Sequence, residues 1–353
     1  KKSFWDEMFS NDSNVRDQYR LLKKIFSKYS KQDLNQMQDL SNKLFVDQGV
    51  TFTVYDDEKG TEKIFPFDLF PRIITSKEWQ KIEYGIIQRI RAINYFIKDV
   101  YNEKFIIRDG IISANDIFLT NNFVKEMNSL QVPYDIYTHI AGVDLIRNND
   151  GNFYVLEDNL RTPSGVSYML ENREISKRIL PGILSANKVR PIMDYPLKLY
   201  NKLKSLSQKN NPNIVLLTPG IFNSAYYEHS TLARLMGVEL VEGQDLVVKD
   251  NFVYMKNAGG LKRVDIIYRR IDDSFIDPLV FNSQSVLGVA SIMSVYRKGN
   301  VVLVNAPGCG IADDKAIYRF VPEIIKYYLN EDPILNNIKT YTLSDPDQLE
   351  YVL

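Results

Sequence analysis

Three oxygen-bearing side chains occupy positions from which they could share one face of a β-hairpin. Residues 142–159 alternate apolar and polar side chains around an Asp-Gly pair at 150–151, which is typical of a two-residue turn because both positions adopt positive φ. With that turn, Asp144 lies opposite Glu157, and Asn159 points to the same face. A four-residue loop would also leave all three on that face. The sequence therefore predicts two carboxylates and an amide side by side.

Such a face needs a compensating positive charge, because two carboxylates directly opposite each other on a sheet repel. A divalent cation such as Mg²⁺ would supply it, since Mg²⁺ prefers oxygen ligands and completes its shell with phosphate and water. The alternative is that Asp144 and Glu157 face solvent or form ion pairs with Arg147 or Arg161. Both interpretations stay open on the residues alone.

The composition excludes several other classes of site and protein. Cys309 is the single cysteine and there are two histidines, so a divalent cation must be held by oxygen ligands. The 353 residues include 44 Lys and Arg against 44 Asp and Glu, which argues against a dedicated nucleic-acid-binding protein. There is no run of about 18 apolar residues, and residues 1–7 contain no signal-peptide core. These features predict a cytoplasmic protein that does not insert into membranes.

The elements that would position these residues follow from periodicity and turn signals. A helix is predicted to begin at Thr75, where Glu78 completes a capping box. It continues through an apolar stripe spaced by three and four: Trp79, Ile82, Ile86, Ile90, Ile93, Ile97 and Val100. Residues 190–213 are polar and mark a boundary, beyond which strands and helices alternate. That alternation predicts a mostly parallel sheet with helices on its faces over 214–330. Two of the predicted helices lie near 284–298 and 313–329.

The acidic hairpin also resembles a known family. The sequence is similar to the metal-binding signature of ATP-grasp ligases at Asp144, at Glu157 thirteen residues later, at Asn159 and in the segment 161–165. Here the signature precedes the α/β part. That order resembles the circularly permuted ATP-grasp proteins of the bacterial branch, which are related to glutathione synthetase and glutathionylspermidine synthetase. Five stretches carry the resemblance: Trp79 to Tyr101, 142–173, Thr218 to His229, Val264 to Asp273 and Gly310 to Leu329.

The resemblance implies roles for the hairpin and the loop after it. Asp144, Glu157 and Asn159 would hold Mg²⁺ against the phosphates of ATP. The loop that follows would approach the acceptor substrate, with Arg161 as a catalytic residue and Ser164 as a substrate-binding residue.

Three further positions lie in the α/β part. The resemblance implies that Arg270, at the end of a predicted strand, binds the acid substrate and takes part in catalysis. It implies that Lys315, at a strand-to-helix junction, contacts ATP. The alternatives are local ion pairs, of the arginine with residues 272–273 and of the lysine with residues 313–314. Asn223, at a predicted helix start, is a candidate for the substrate pocket.

The expected fold is α/β with an α+β N-terminal part: a permuted ATP-grasp fold with an antiparallel metal-binding hairpin and a mostly parallel sheet domain similar to the pre-ATP-grasp domain. Three divisions are expected. Residues 1–200 hold a helical region and the metal-binding subdomain, 201–312 an α/β substrate-binding domain, and 313–353 the start of the remaining ATP-grasp subdomain.

The resemblance implies ATP-dependent ligation of a carboxylate to an amine through an acyl phosphate, with ATP and Mg²⁺ as cofactors and small molecules or peptides as substrates. A non-catalytic binding or accessory module that retained the fold is the alternative, and a nucleotide-dependent transferase built on 214–330 is a third. The family's second nucleotide-binding lysine and glycine-rich flap should follow Leu329, but no glycine occurs after Gly310. We therefore expect them in a further C-terminal segment or a partner chain.

Overall fold

A helical region begins the chain in the computed structural model, which describes residues 4–10, 13–53 and 62–353. The prediction that residues 1–7 contain no signal-peptide core falls partly on residues 1–3, which lie outside the described residues. The elements before the hairpin are α1 (Arg20–Phe26), α2 (Lys31–Asp47), β1 (Thr51–Thr53), β2 (Glu62–Ile64), α3 (Ser76–Tyr101), α4 (Phe105–Arg108) and α5 (Ala114–Phe118). No helix in the described part of the chain is long and apolar enough to cross a membrane.

The long helix α3 is confirmed, and its start has the predicted cap. The Thr75 side chain accepts a hydrogen bond from the backbone N–H of Glu78, and the Glu78 carboxylate accepts one from the backbone N–H of Thr75. Along the helix Ile82, Ile93 and Ile97 are fully buried. This buried face supports the hairpin on one side and the sheet on the other.

An antiparallel hairpin and three helices follow. They are β3 (Gly142–Arg147), β4 (Phe153–Asn159), α6 (Val166–Ile179), α7 (Ile183–Ala186) and α8 (Tyr195–Lys204).

The α/β part contains two separate sheets. Its elements are β5 (Ile214–Leu217), α9 (Tyr226–Met236), β6 (Glu239–Val241), β7 (Leu246–Lys249), β8 (Phe252–Asn257), β9 (Gly260–Val264), β10 (Ile266–Arg269), α10 (Ile292–Arg297) and β11 (Val302–Val304). Four strands form a parallel sheet in the order β11-β10-β5-β6. The other three form an antiparallel sheet. Asp250 and Asn251 both have positive φ and make the tight turn between β7 and β8.

The chain ends in short helices: α11 (Lys315–Tyr318), α12 (Val321–Leu329) and α13 (Pro346–Val352). The continuous helix predicted near 313–329 is wrong. The Asp314 side chain caps α11, which ends at Tyr318, and a new helix begins at Val321 with Pro322 in its first turn. A 3₁₀ turn, Cys309–Asp313, precedes α11. The helix predicted near 284–298 is also shorter than expected, since only the six residues of α10 are α-helical there.

Candidate active site

The cross-strand pairing of Asp144 with Glu157 is confirmed, although the predicted two-residue turn is wrong. In the turn, the Asn148 N–H donates to the Asn152 carbonyl (2.9 Å), and Gly151 alone among 149–151 has a positive φ, 79°. That three-residue loop shifts the pairing by one residue, which would turn every side chain of β4 to the opposite face. A bulge between Asp144 and the next residue restores the register.

The side chains of Asp144, Glu157 and Asn159, here called the acid trio, converge on one face of the hairpin. The Asn159 amide donates to Asp144 Oδ1 at 3.4 Å and to Glu157 Oε1 at 3.5 Å. Burial raises the pKa of the Asp144 carboxyl above its usual value, and the negative charge of Glu157 raises it further. In the described part of the chain, no group of three or more His, Cys, Asp or Glu side chains is placed to hold a metal. A cation here would have the two carboxylates as ligands, and the Asn159 amide, whose nitrogen faces them, would have to turn over to add its oxygen.

Lys315 reaches the acid trio from the first turn of α11. Its ammonium lies 2.9 Å from Glu157 Oε2 and donates to the Leu156 carbonyl at 2.7 Å. This contact is the main reason why the pKa of Glu157 is lowered. The sequence left open whether Lys315 pairs with 313–314, but Asp314 accepts hydrogen bonds from Thr120 and Asn122 instead. Lys315 therefore supplies part of the positive charge that the acid pair requires.

Arg161 follows Asn159 of the trio by two residues and forms ion pairs with two aspartates. Its Nε lies 2.8 Å from Asp313 Oδ2, and its Nη1 lies 2.8 Å from Asp272 Oδ2. It also packs so closely on the 3₁₀ turn that a Cβ at Gly310 would lie 2.3 Å from Arg161 Cδ. Together with Asn282, Arg161 and Asp272 line a cavity of about 350 Å³ beyond the carboxyl end of β10. Ligands of open α/β sheets bind at this edge.

Arg270 is buried under the loop that follows Asn159. Its Nη2 donates to Ser164 Oγ at 2.6 Å and to the Thr162 carbonyl at 3.1 Å, and its Nη1 donates to Tyr268 Oη at 3.0 Å. Its Nε is buried and has no hydrogen-bond partner among the described residues. The aspartate at 273 pairs with Arg269 rather than with Arg270. The structure thus brings Arg270 and Ser164 together.

Glu228 belongs to the same cluster and was missed by the sequence analysis. One of its carboxylate oxygens accepts hydrogen bonds from the N–H groups of Gly165 (2.7 Å) and Ser167 (3.1 Å), and the other lies 3.9 Å from Arg270 Nη2. Burial raises the pKa of Glu228. The available signal was its spacing of four residues from Leu232 and eight from Met236, which places an acid on the buried stripe of α9.

Asn223 lies in the loop between β5 and α9, and its Oδ1 accepts a hydrogen bond from the Ala225 N–H at 3.0 Å. In the same loop Phe222 is 83% exposed. His229 is buried, and its Nδ1 lies 2.9 Å from Thr218 Oγ1. Burial lowers the pKa of His229 to about 3, so the ring is neutral at physiological pH.

The chain matches known proteins over most of its length. The family model described as circularly permuted ATP-grasp type 2 matches residues 71–353. A Synechocystis protein of unassigned function is 46% identical over 99% of this chain and 73% of its own length. A similar protein from Mycobacterium tuberculosis is 44% identical over 99% of this chain and 63% of its own length. A Frankia alni protein named "Putative glutamate--cysteine ligase 2-3" is 36% identical, and the chain spans 41% of its length.

The fold has a counterpart among solved structures. A glutathione synthetase-like effector from Globodera pallida, in its apo form, has a TM-score of 0.54 and 12% identity, covering 86% of this chain and 69% of that one. At this identity the likeness shows the fold alone, a mixed α/β fold of the ATP-grasp kind. The resemblance of the sequence to the circularly permuted ATP-grasp proteins is confirmed by the family match. The chain therefore belongs to the circularly permuted ATP-grasp type 2 family.

Proposed function

We propose that the protein is an ATP-dependent carboxylate–amine ligase, with the acid trio holding Mg²⁺ and ATP bound beside it. The convergence of Asp144, Glu157 and Asn159 carries this proposal, because both carboxylates lie within 3.5 Å of the Asn159 amide nitrogen, and carboxylate and amide oxygens are the hard ligands that Mg²⁺ prefers. When bound, Mg²⁺ would offset the negative charge of the phosphates. Lys315 is then the side chain that binds the nucleotide phosphates, next to the trio.

The proposed chemistry has two steps. A carboxylate oxygen of the acid substrate attacks the γ-phosphorus, the bond to the β-phosphate oxygen breaks, and ADP leaves. The lone pair of the amine then attacks the acyl carbon, phosphate leaves with the C–O bonding electrons, and the amine nitrogen loses a proton. Catalysis of this kind depends mostly on positioning and charge stabilisation. Arg161, which lines the cavity, would contact the reacting carboxylate.

Arg270, Ser164 and Asn223 would form the acid-substrate pocket. The support for Arg270 is its buried Nε, a donor without a partner among the described residues, which a carboxylate could satisfy. The name of the Frankia relative suggests an amino acid as the acid and an amino acid as the amine. We expect phosphate release from ATP only when a matching acid is present, screened over a panel of amino acids, peptides and amines. Nucleotide binding without turnover on any substrate would favour the alternative, a non-catalytic module.

Replacing Glu157 with glutamine tests the metal site directly. We expect the affinity for Mg²⁺·ATP to fall by at least about tenfold, the usual cost of losing a charged ligand interaction of about 1.4 kcal/mol or more. Isothermal calorimetry with and without Mg²⁺ measures the effect. Glu174→Gln is the matched control, since Glu174 forms a surface ion pair with Lys177 just as Glu157 does with Lys315. Equal affinities and equal metal dependence in the Glu157 variant would contradict the assignment.

A further inference from the structure

A buried ion pair lies directly behind the acid trio. Asp158 stands between Glu157 and Asn159, and strand alternation places its side chain on the opposite face of β4. There Arg89 of α3 binds it with two hydrogen bonds, from Nε to Oδ1 at 2.7 Å and from Nη2 to Oδ2 at 2.6 Å. The two side chains are 1% and 0% exposed.

Hydrogen bonds of Arg89 also extend to α11, the helix that carries Lys315. Arg89 Nη1 donates to Asn337 Oδ1 at 2.7 Å, and the Asn337 amide donates to the Tyr318 carbonyl at 2.7 Å. Tyr318 is the last residue of α11, and its hydroxyl donates to the carbonyl of Val155 in β4. The segment around Asn337 also pairs with β4, because the Val155 N–H donates a hydrogen bond to the carbonyl of Asn336 at 2.9 Å. Arg89 therefore links α3, β4 and α11.

Stability alone does not explain this pair, because buried ion pairs are often no more stabilising than apolar pairs of similar size. Register gives a better explanation. The bulge next to Glu157 keeps Glu157 and Asn159 on the face of Asp144. Without it, the pairing of the turn end would continue, Asp144 would lie opposite Leu156, and Glu157 and Asn159 would turn to the other face. The same shift would move the Asp158 carboxylate to the face of Asp144 and away from its buried partner.

We propose that Arg89 and Asp158 are positioning residues that lock the register of β4, so that Glu157 and Asn159 face Asp144. This inference rests on the proposed function, in which the trio binds a metal–nucleotide complex. It predicts that the pair controls metal affinity even when the fold is intact.

The test compares Arg89→Lys with a double variant that carries both Arg89→Met and Asp158→Leu. The double variant replaces the buried ion pair with apolar side chains, which is often neutral or stabilising. We expect Mn²⁺·ATP to bind about tenfold or more weakly in both, the usual cost of losing a residue that orients metal ligands. Binding is measured from the electron paramagnetic resonance signal of free Mn²⁺, and the affinity for ATP in EDTA should stay unchanged. Arg147→Lys is the matched control. Arg147 also joins the hairpin to α3, with its Nη1 2.7 Å from Glu78 Oε1, but it lies at the end of the hairpin that is next to the turn.

The possible outcomes separate the two proposals. If the parent binds Mn²⁺·ATP no better than metal-free ATP, the proposed function fails, and this inference with it. If the parent binds it and Arg89→Lys and the double variant bind it equally well, only the positioning role is overturned. If the double variant does not fold, Arg89→Lys decides alone. An equally large loss of Mn²⁺·ATP affinity in Arg147→Lys would also overturn the inference, because any loosening of the hairpin would then be enough to weaken metal binding.

Discussion

Lys315 forms its ion pair with Glu157 in contact with water, the two side chains being 52% and 37% exposed. Exposed ion pairs contribute about 0–1 kcal/mol, so the ammonium can leave Glu157 at little cost. A lysine placed in this way offsets part of the negative charge of the acid trio, and in the proposed function it moves to the phosphates when a nucleotide binds. Removing the charge of Lys315 should therefore change the affinities for the metal ion and for the nucleotide in opposite directions.

Lys315→Met is expected to strengthen the binding of Mn²⁺ alone, because the competing positive charge is removed from the trio. The same variant should bind ATP more weakly, by about threefold to tenfold for the loss of one exposed charged contact. Paramagnetic resonance titration of Mn²⁺ and calorimetry with ATP measure the two effects. Lys177→Met, which removes the surface partner of Glu174, is the control and should change neither affinity. A fall in both affinities would mean that Lys315 only supports the local structure.

The pH dependence of metal binding gives a second test at the residue scale. The pKa of Asp144 lies above its usual value of 3.8, chiefly because of burial and then because of Glu157. Protonated Asp144 cannot bind a cation, so the Mn²⁺ affinity should rise with pH and level off only above that raised pKa. Lys315→Met should move this rise to higher pH, because Lys315 lowers the pKa of Asp144.

The raised pKa of Asp144 affects folding without metal in the opposite direction, because it makes the free energy of unfolding fall as the pH rises. Between 3.8 and the raised pKa, the folded protein binds more protons at Asp144 than the unfolded chain does. This contribution to the free energy of unfolding is therefore present at low pH and is lost as the pH rises through that window. Urea unfolding of the parent and of Asp144→Asn at several pH values would reveal it as a difference in slope. Parallel pH profiles would show that Asp144 titrates alike in the folded and unfolded chains.

At the scale of elements, the loop from Arg161 to Gly165 is held from below by α9 and β10. Glu228 accepts two backbone N–H groups at the start of α6, while Arg270 binds Ser164. Because burial raises the pKa of Glu228, folding disfavours the charged form of this side chain relative to the neutral form. Its role as an acceptor is the larger one.

Glu228→Gln should therefore change the free energy of unfolding at neutral pH by less than about 1 kcal/mol, since the amide oxygen still accepts a hydrogen bond. Glu228→Leu should cost about 1–3 kcal/mol for each N–H left unsatisfied, at Gly165 and Ser167. Urea denaturation measures both variants. Equal losses in the two would show that the charge opposite Arg270 is what matters instead.

The sequence predicted elements where the local signals were complete. The start of α3 follows from the Thr75 and Glu78 cap. The facing of Asp144 and Glu157 was predicted from alternation with a two-residue turn, and it holds because the longer loop and the bulge cancel each other. The bulge that preserves this facing was not predictable, because no residue in β4 marks it. The contact of Lys315 with Glu157 joins residues 158 positions apart, and it depends on how α11 packs on β4. Spacing in the sequence carries no information on such a contact.

At the scale of the whole molecule, the three proposed divisions, 1–200, 201–312 and 313–353, share one hydrophobic core. A single cluster of buried residues includes Ile97 of α3, Ile267 of β10 and Ile324 of α12. Asn305, 1% exposed, adds a polar connection after β11. Its Oδ1 accepts from the N–H groups of residues 139 and 140, and its Nδ2 donates to the carbonyls of residues 140 and 160. The divisions are proposals about domain organisation, and the shared core argues that they fold together.

We therefore predict one cooperative unfolding transition for the described chain, although proteins of this size often unfold in steps. Asn305→Leu should lower its midpoint as a whole, because the variant leaves buried backbone groups on both sides of the connection unsatisfied, at about 1–3 kcal/mol each. Differential scanning calorimetry follows the whole molecule, and the fluorescence of Trp5 and Trp79 follows the N-terminal part. If the parts were independent, calorimetry would resolve two transitions in the parent, and Asn305→Leu would shift only one of them. Coincident midpoints that move together in the variant are the result expected from a core shared between α3, the parallel sheet and α12.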